Sequence, residues 1–286
     1  MLIDLHAHTS HSDGTDTPAG LVDAAVAAGL DVVALTDHDV MTGWAEAGAR
    51  AEEVGLTVVP GVEISCRHRG VSIHLLAYLP DPTHRGLLAE LEASREARLG
   101  RMEAMVDRLA RAGFPLTYAD VVAQAEEGAT LGRPHLADAL VAAGVFPNRA
   151  AAFAEVLHDS SPYYVGHYAP DPVQAVRLVR EAGGVPVMAH PFASARGRTV
   201  TDEVVVTMIG AGLAGLEAYH RDHDAAGTAR AERLAAAHGL FVTGASDYHG
   251  SGKENVLGEH TTEVDVLASI LAAGTGSAVL GRPVPA

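Results

Sequence analysis

The feature that most constrains this fold is a series of short apolar runs, rich in β-branched residues, that recur along the chain. They lie at 2–6, 32–36, 57–64, 71–79, 185–189, 215–219 and 240–245. Runs of this length and composition are typical of buried strands. Between most of them lie Ala- and Leu-rich stretches of helical period, at 18–28, 43–54, 172–182, 202–211 and 225–238. This alternation predicts a mainly parallel sheet with helices outside it.

About seven strands predict an α/β fold of a particular kind, a distorted (β/α)7 TIM-like barrel, with an open doubly wound sheet as the alternative. One stretch interrupts the alternation, because the patterns at 87–112, 132–143 and 149–157 are helical without intervening strands. We therefore predict that residues 1–81 and 171–286 form the barrel domain. Residues 82–170 are predicted to form a helical insertion domain that contributes to substrate binding, and the tail after residue 274 is predicted to be a loop.

Composition narrows the class of partner and of metal site. The chain has 286 residues, 48% of them hydrophobic, and a formal net charge of −16, which argues against duplex DNA as a ligand. Its first residues carry no basic leader and no long apolar run, so we expect a cytoplasmic protein without a membrane partner. Cys66 is the only cysteine, so a metal would be held by nitrogen and oxygen ligands.

The residues that carry chemistry belong to the predicted strands. Most lie at or just beyond the C-terminal end of a strand, and some lie within one. They are His6, His8, Asp13, His38, Glu63, His74, His190, Asp247 and His249. A lone His-x-His pair could be two exposed residues at a strand end. Nine candidate ligands near strand ends are more than chance would place there, and the strand ends of an α/β barrel converge on one rim. Nine ligands are also more than one ion can bind. The sequence predicts two or three divalent cations, Mn, Fe or Zn, with Glu63 as a bridge.

A cluster of this kind suits hydrolysis of phosphate esters. Neighbouring cations bind the non-bridging oxygens, lower the pKa of a bound water and stabilise charge on the attacking and leaving oxygens. A small phosphorylated substrate or a single nucleic-acid end could approach an acidic protein at such a site, because bound cations invert the local field.

The motifs resemble the PHP (polymerase and histidinol phosphatase) superfamily across the chain outside the insertion. The matching segments are His6-Ala7-His8, Ser12-Asp13-Gly14, Thr36-Asp37-His38, Glu63, His74, His190-Pro191 and Asp247-Tyr248-His249. The resemblance implies a distorted seven-stranded barrel with three metals and favours manganese. It implies one metal at His6, His8, Glu63 and Asp247, a second at Glu63, His74 and His190, and a third at Asp13, His38 and His249. Asp13 stands where many members carry histidine.

A second motif lies in the insertion, where Gly132-Arg133-Pro134-His135 resembles a segment of the stand-alone branch of that superfamily. That branch includes 3′,5′-nucleotide bisphosphate phosphatases and RNA 5′-end-trimming exonucleases. Arg133 could make a bidentate contact to phosphate, with His135 nearby, if the insertion folds over the rim. The alternative is a helix start whose side chains face water. Arg196 and His220 are further candidate substrate contacts, because both follow predicted strands on the same side as the metal ligands.

These observations predict a metal-dependent phosphoesterase that hydrolyses a nucleotide phosphate by attack of a metal-bridging hydroxide. The expected substrate is the 3′-phosphate of a 3′,5′-bisphosphonucleotide, with trimming of short RNA from the 5′ end as a second activity. Two alternatives remain at this stage. One is a phosphatase for a metabolite such as histidinol phosphate, and the other is a non-catalytic metal-binding module. No residue is identified as the acid that protonates the leaving group.

Overall fold

Seven strands form a nearly closed barrel in the computed structural model, which describes residues 1–126, 129–158 and 160–284 and, of Arg196, the backbone alone. The strands are β1 (Ile3–Ala7), β2 (Val32–Leu35), β3 (Thr57–His68), β4 (Val71–Tyr78), β5 (Val185–Met188), β6 (Gly215–Tyr219) and β7 (Phe241–Gly244). Each is hydrogen-bonded to the next along the chain. Backbone hydrogen bonds between His8 N and Tyr248 O, 2.8 Å, and between Tyr248 N and His6 O, 3.3 Å, join the segment after β7 to β1. The barrel prediction is confirmed, and the open sheet is wrong.

The sheet is less uniformly parallel than expected. Strands β1 to β3 are parallel, as are β5 to β7, whereas β4 runs antiparallel to both β3 and β5. The cause is the connection between β3 and β4, which consists of Arg69 and Gly70 with φ values of 47° and 81°. Two residues can reverse a chain into a hairpin, but a parallel crossover needs a dozen or more.

Helices cover the barrel and fill the insertion. They are α1 (Pro18–Ala27), α2 (Trp44–Val54), α3 (Arg85–Arg111), α4 (Tyr118–Val122), α5 (Arg133–Ala142), α6 (Arg149–Ala152), α7 (Pro172–Glu181), α8 (Asp202–Gly210), α9 (Ala225–His238) and α10 (Val264–Ala273). The predicted helices are confirmed to within a few residues. Helices α4 and α10 were not predicted, and the tail after residue 274 is not only loop, because β8 (Leu280–Gly281) pairs antiparallel with β3. A strand of two residues is too short to show a period.

The insertion helices pack around an apolar core of their own. Its buried side chains include Met102, Met105 and Leu109 from α3 and Leu136 and Leu140 from α5. A π-helical turn, Phe153–Leu157, continues α6. The insertion also contacts the barrel, since Thr130 N donates a hydrogen bond of 3.0 Å to His11 O and Arg67 N donates one of 2.9 Å to Pro170 O. The insertion therefore lies against the loops at the C-terminal ends of the strands.

In the part of the chain that the structure describes, no helix combines the length and the apolar character that a membrane crossing requires.

Candidate metal centre

Strand β1 ends in two imidazoles that face the same side. His6 and His8 are two residues apart, so strand alternation turns both inward, where each is fully buried. Their Nε2 atoms lie 3.1 Å apart. Glu63 Oε2 lies 3.3 Å from His6 Nε2 and 3.1 Å from His8 Nε2, and Asp247 Oδ1 lies 3.5 and 3.3 Å from the same two atoms. Two imidazoles and two carboxylates thus converge on one small volume.

Glu63 on β3 occupies the middle of the site. Its Oε1 atom lies 2.8 Å from His74 Nδ1 and 3.5 Å from His190 Nε2, while its Oε2 atom lies 3.1 Å from His38 Nδ1. The β3–β4 hairpin brings His74 beside it, and an isolated bridge links His38 to Glu63. One carboxylate therefore reaches histidines from several strands, as a bridging ligand would.

The remaining predicted ligands meet at Asp13. His249 Nε2 lies 3.2 Å from Asp13 Oδ1, His38 Nε2 lies 3.9 Å from Asp13 Oδ2, and His8 Nδ1 lies 3.7 Å from Asp13 Oδ1. The structure thus brings all nine predicted ligands to one rim.

Within the described residues, three overlapping groups have ligand atoms within 4.8 Å of one another. They are His8, Asp13, His38 and His249; His6, His8, Glu63 and Asp247; and His38, Glu63 and His74. The second group is the first metal set that the superfamily resemblance implied. The other two differ in detail, since His8 joins the Asp13 group and His38 takes the place of His190 beside Glu63 and His74. Ions held by these groups would share ligands, because the groups overlap at His8, His38 and Glu63.

Two of these residues have unusual backbone conformations. His190 follows β5 with a φ of 28°, and Asp247 follows β7 with a φ of 54°. Residues other than glycine rarely adopt positive φ. Such backbone strain persists only where the surrounding structure holds it. Both residues lie at the turn where a strand leaves the barrel. The strain therefore accompanies the orientation that directs these side chains into the site.

The electrostatics of the site favour cations. Burial alone would lower the pKa of His8, but the neighbouring carboxylates of Asp247 and Glu63 raise it to about 9. Burial would likewise raise the pKa of Glu63, yet the surrounding histidines hold it well below its usual range. By contrast, burial lowers the pKa of His249 to about 4, and the charge of Lys253 acts in the same direction. The carboxylates stay ionised and some imidazoles stay neutral, which is the state that metal ligands need.

Several buried atoms at the centre lack a hydrogen-bond partner among the described residues. They include His38 Nδ1, Glu63 Oε2 and His249 Nε2. His38 Nδ1 and Glu63 Oε2 lie only 3.1 Å apart, yet their orientation makes no hydrogen bond. Buried polar atoms are normally paired, since an unpaired one costs about 1–3 kcal/mol. Convergent nitrogen and oxygen lone pairs of this kind fit a divalent cation.

Glu217 was not predicted from the sequence, although it contacts two of the predicted ligands. It lies on β6, fully buried, with Oε1 3.0 Å from His6 Nδ1 and Oε2 accepting a 2.8 Å hydrogen bond from His190 N. A carboxylate on Nδ1 orients the ring and leaves Nε2 toward the metal site. The available signal was a single acid in the apolar run Gly-Leu-Glu-Ala-Tyr, which lies within the strand and not at its end.

Asp37 supports the loop that follows β1. It accepts hydrogen bonds from Thr9 N at 2.7 Å and from Ser12 Oγ at 2.6 Å. Ser12 Oγ lies 3.3 Å from His8 Nδ1. Asp37 therefore helps to orient His8 through Ser12.

The candidate substrate contacts lie in different surroundings. Arg133, at the start of α5, donates from Nη1 to Leu157 O at 2.7 Å, and its guanidinium packs over the rings of Phe153 and Tyr164. His135 is buried, and its Nδ1 accepts a 3.1 Å hydrogen bond from Gly132 N. Its burial excludes, for His135, the alternative of a side chain that faces water.

His220 is the candidate that lies within the metal site itself. Its Nε2 atom lies 3.7 Å from Asp247 Oδ2, and its ring centroid lies 5.1 Å from that of His190. The side chain of Arg196 lies outside the described residues.

Lys253 is the only lysine in the sequence, and it lies at this site. Its Nζ atom lies 3.1 Å from Asp247 Oδ2, on the opposite carboxylate oxygen from the one that faces His6 and His8. The lysine thus balances part of the Asp247 charge without occupying the convergent atoms. A lone lysine in a loop gave no pattern from which this contact could be predicted.

Comparison with known proteins agrees with this geometry. A family model described as PHP domain matches residues 4–100. The 3′,5′-nucleoside bisphosphate phosphatase of Chromobacterium violaceum is 32% identical over 262 residues, which cover 92% of each chain. The chain belongs to the PHP family. A 5′-3′ exoribonuclease of Haemophilus influenzae is 37% identical over 189 residues, covering 66% of this PHP chain and 68% of the relative.

Two solved structures share the whole architecture. A Bifidobacterium adolescentis protein designated a metal-dependent phosphoesterase has a TM-score of 0.93 and 44% identity, with 96% of each chain covered. An amidohydrolase of Chromobacterium violaceum, with bound sulfate and no metal, has a TM-score of 0.86 and 30% identity, with 96% of this chain and 97% of that chain covered. This PHP chain is a metal-dependent phosphoesterase, with His, Asp and Glu clusters that could bind metals.

Proposed function

We propose that this PHP protein hydrolyses the 3′-phosphate of a 3′,5′-bisphosphonucleotide in the cytoplasm. The observation that carries the proposal is the full-length likeness to a 3′,5′-nucleoside bisphosphate phosphatase, combined with the convergence of nine ligands at one rim. The barrel, residues 1–81 and 171–286, supplies the metal ligands. The insertion, residues 82–170, supplies groups that contact the substrate.

The nine convergent side chains are the proposed holders of two or three divalent cations, with manganese preferred to iron or zinc. When bound, the cations supply Lewis acidity and activation of water toward phosphorus. Glu217 holds the Nδ1 side of His6, so that Nε2 faces inward. Asp37 does the same for His8 through Ser12. The chain's own contribution is to keep these rings in position before substrate arrives.

His220 is suited to contact the substrate directly. Its Nδ1 accepts a 3.0 Å hydrogen bond from Asp222 N, so the neutral ring carries its proton on Nε2, which faces Asp247. That N–H is a donor for a phosphoryl oxygen. Arg133 and His135 lie on the insertion side of the site, where they are proposed to contact a phosphate of the substrate. The same role is proposed for Arg196 from its position in the sequence.

A second proposed activity is removal of nucleotides from the 5′ end of short RNA. It is supported by the likeness to exoribonucleases, which is confined to about two thirds of the chain. A terminal nucleotide of 5′-phosphorylated RNA resembles a 3′,5′-bisphosphonucleotide, because in both the scissile phosphate is on the 3′ oxygen. Duplex DNA and membranes are not proposed as partners.

Phosphate release by purified, manganese-loaded protein tests the proposal. Adenosine 3′,5′-bisphosphate, histidinol phosphate and a short 5′-phosphorylated RNA are compared at equal concentration, with nucleotide release followed for the RNA. Preference for the bisphosphate supports the proposal, and preference for the RNA moves the main substrate to RNA ends. Preference for histidinol phosphate would move it to a metabolite. If none of the three is hydrolysed in a metal-dependent way, the proposed function is wrong.

A further inference from the structure

The segment after β7 carries two of the predicted metal ligands but has little regular structure. The structure describes every residue between β7 and α10, and these residues form no further helix or strand. We call residues 246–258 the Asp247 loop, which also contains His249 and Lys253. Because neither a helix nor a strand fixes this loop, individual contacts hold Asp247 in place.

One buried carboxylate holds both ends of the Asp247 loop. Asp4 on β1 is fully buried, its Oδ1 atom accepts a hydrogen bond of 3.0 Å from Ser246 N, and its Oδ2 atom accepts one of 2.9 Å from Gly258 N. Hydrogen bonds to a carboxylate are stronger than those between neutral groups. Asp4 and His6 lie on the same face of β1, because they are two residues apart. The strand that supplies His6 therefore also anchors the loop that supplies Asp247.

A second buried side chain holds the carbonyl of Ser246 from within the loop. Asn255 Nδ2 donates to Ser246 O at 2.6 Å, and Asn255 Oδ1 accepts a 3.3 Å hydrogen bond from Arg221 Nη1. A guanidinium only donates, so this contact turns the amide oxygen toward Arg221 and the NH2 group toward Ser246. Side chains therefore hold both backbone polar groups of Ser246, and we call Asp4 and Asn255 the loop clamp.

The loop clamp acts next to a residue with backbone strain. Ser246 directly precedes Asp247, whose φ is 54°, and Tyr248 on the other side pairs with β1 through backbone hydrogen bonds. Asp247 thus lies between two anchored residues, with Oδ1 3.5 Å from His6 Nε2 and 3.3 Å from His8 Nε2. A residue other than glycine keeps a positive φ only where its surroundings hold it. Without the clamp, the loop can relax and carry the carboxylate away from the two imidazoles.

We propose that Asp4 and Asn255 are positioning residues that hold Asp247 in its metal-binding conformation. The inference rests on the proposed function, because it concerns the same metal centre. Among the described residues, neither belongs to the groups of converging ligand atoms, so each acts through the backbone of Ser246. A metal site binds tightly when its ligands are already in place, because ordering them on binding lowers the affinity.

This role predicts an effect on metal affinity and not on the choice of substrate. A displaced Asp247 weakens the metal set that contains His6, His8 and Glu63, whichever phosphate ester is present. A residue that contributed only to folding would instead lower stability and leave the metal affinity of the folded protein unchanged. Measurements of metal affinity and of stability therefore separate the two roles.

The test uses Asp4→Asn and Asn255→Leu, so that one variant remains if the other fails to fold. The first variant has one acceptor oxygen in place of two, so Ser246 N and Gly258 N can no longer both donate to the side chain. The second variant keeps a side chain of similar size but has no donor for Ser246 O.

Two matched controls change side chains of the same types that also bond to the backbone, but outside the Asp247 loop. Asp31→Asn changes a carboxylate that accepts a 2.7 Å hydrogen bond from Leu2 N and is 58% exposed. Asn148→Leu removes the cap of α6, where Asn148 Oδ1 accepts a 2.9 Å hydrogen bond from Ala151 N. The loss of this cap should lower Tm without weakening the binding of metal.

Binding of Mn²⁺ to the metal-free proteins is measured by calorimetry, together with Tm. We expect each clamp variant to bind Mn²⁺ about 10- to 100-fold more weakly than the wild type does, and the controls to bind it as the wild type does. In hydrolysis of adenosine 3′,5′-bisphosphate, the Mn²⁺ concentration that gives half the maximal rate should rise by a similar factor. Excess Mn²⁺ should restore kcat, and KM for the substrate should stay unchanged.

The outcomes for the inference and for the proposed function are distinct. Wild-type Mn²⁺ affinity in a folded clamp variant overturns the inference, and so does a loss of kcat that excess Mn²⁺ does not restore. Weaker Mn²⁺ binding in the clamp variants, with no hydrolysis of any tested phosphate ester by the wild type, supports the inference and overturns the proposed function alone.

Discussion

The metal centre lies beside four arginines on β3, α3 and α5, and the two regions hold charge in opposite ways. The arginines are Arg67, Arg98, Arg101 and Arg133, and we call them the arginine cluster. At the metal centre, Glu63 and Asp247 are fully buried among imidazoles, and acids and bases compensate one another within a few ångströms. In the arginine cluster, Arg67 and Arg101 have only neutral partners among the described residues. The two regions therefore suit ligands of opposite charge, cations at the metal centre and an anion at the arginine cluster.

The two regions also differ in how their side chains are held. The ligands of the metal centre lie at strand ends, and supporting groups such as Glu217 and Asp37 restrict their rotation. The guanidinium groups of the cluster are held by an aromatic ring and by backbone carbonyls. Changes at the centre should therefore affect the chemical step for every substrate, whereas changes in the cluster should affect the choice of substrate.

The largest expected effect comes from removing a ligand of the metal centre. Asp247→Ala and His190→Ala should lower kcat/KM for all substrates by about a thousandfold or more, because metal-ion catalysis is worth several kcal/mol and each 1.4 kcal/mol is about tenfold. His238→Ala, at the exposed end of α9, is the control. Full activity in either ligand variant would show that the chemistry does not occur at this centre.

Removal of the metals should have an effect of similar size on activity and a separate effect on stability. Treatment with a chelator should abolish hydrolysis, and addition of Mn²⁺ should restore it. Since the ions bind the folded state, their removal should also lower Tm by about 5 °C or more, given about 2.7 kcal/mol of stabilisation at a hundredfold excess over Kd. Calorimetric melting with and without chelator measures this. An unchanged Tm would indicate that the metal centre holds no ion in solution.

An intermediate effect is expected for Glu217→Gln. The substitution keeps the shape but removes the charge and one of the two acceptor oxygens, so that His6 Nδ1 and His190 N can no longer both donate to this side chain. Loss of such a supporting group typically costs about 10- to 100-fold in metal affinity or activity. The concentration of Mn²⁺ that gives half-maximal activity should rise, and excess Mn²⁺ should recover much of the rate. Glu181→Gln, exposed at the end of α7, is the control. A lower rate with no change in metal dependence would assign Glu217 another role.

The barrel and its rim were predictable from the sequence because both depend on a repeated local pattern. Each apolar run forms a strand, and the fold itself brings strand ends together, so His6, Glu63 and Asp247 could be grouped without knowledge of any contact. Strand direction was harder. The antiparallel β4 depends on the two-residue turn at Arg69 and Gly70, a feature much shorter than the alternation that suggested a parallel sheet.

The arginine cluster could not be predicted in the same way. Its members come from β3, α3 and α5, and arginines on amphipathic helices are usually exposed to solvent. Only the packing of the insertion against the rim places Arg98 beside Ser65 and Asp39. Glu217 was missed for a related reason, since its partners are 27 and 211 residues away in the sequence. Contacts between distant elements leave no local period.

The smallest expected effect concerns Lys253, which tests whether every cation near the site acts like those of the arginine cluster. Its Nζ contacts Asp247 Oδ2, and its side chain is 33% exposed. Ion pairs with such exposure contribute about 0–1 kcal/mol, so Lys253→Met should change kcat/KM by no more than about fivefold. The ratio of bisphosphate to monophosphate hydrolysis should stay as in the wild type, unlike in variants of the arginine cluster. A larger loss confined to the bisphosphate would mean that Lys253 contacts the second phosphate, and the division between the two regions would need to be redrawn.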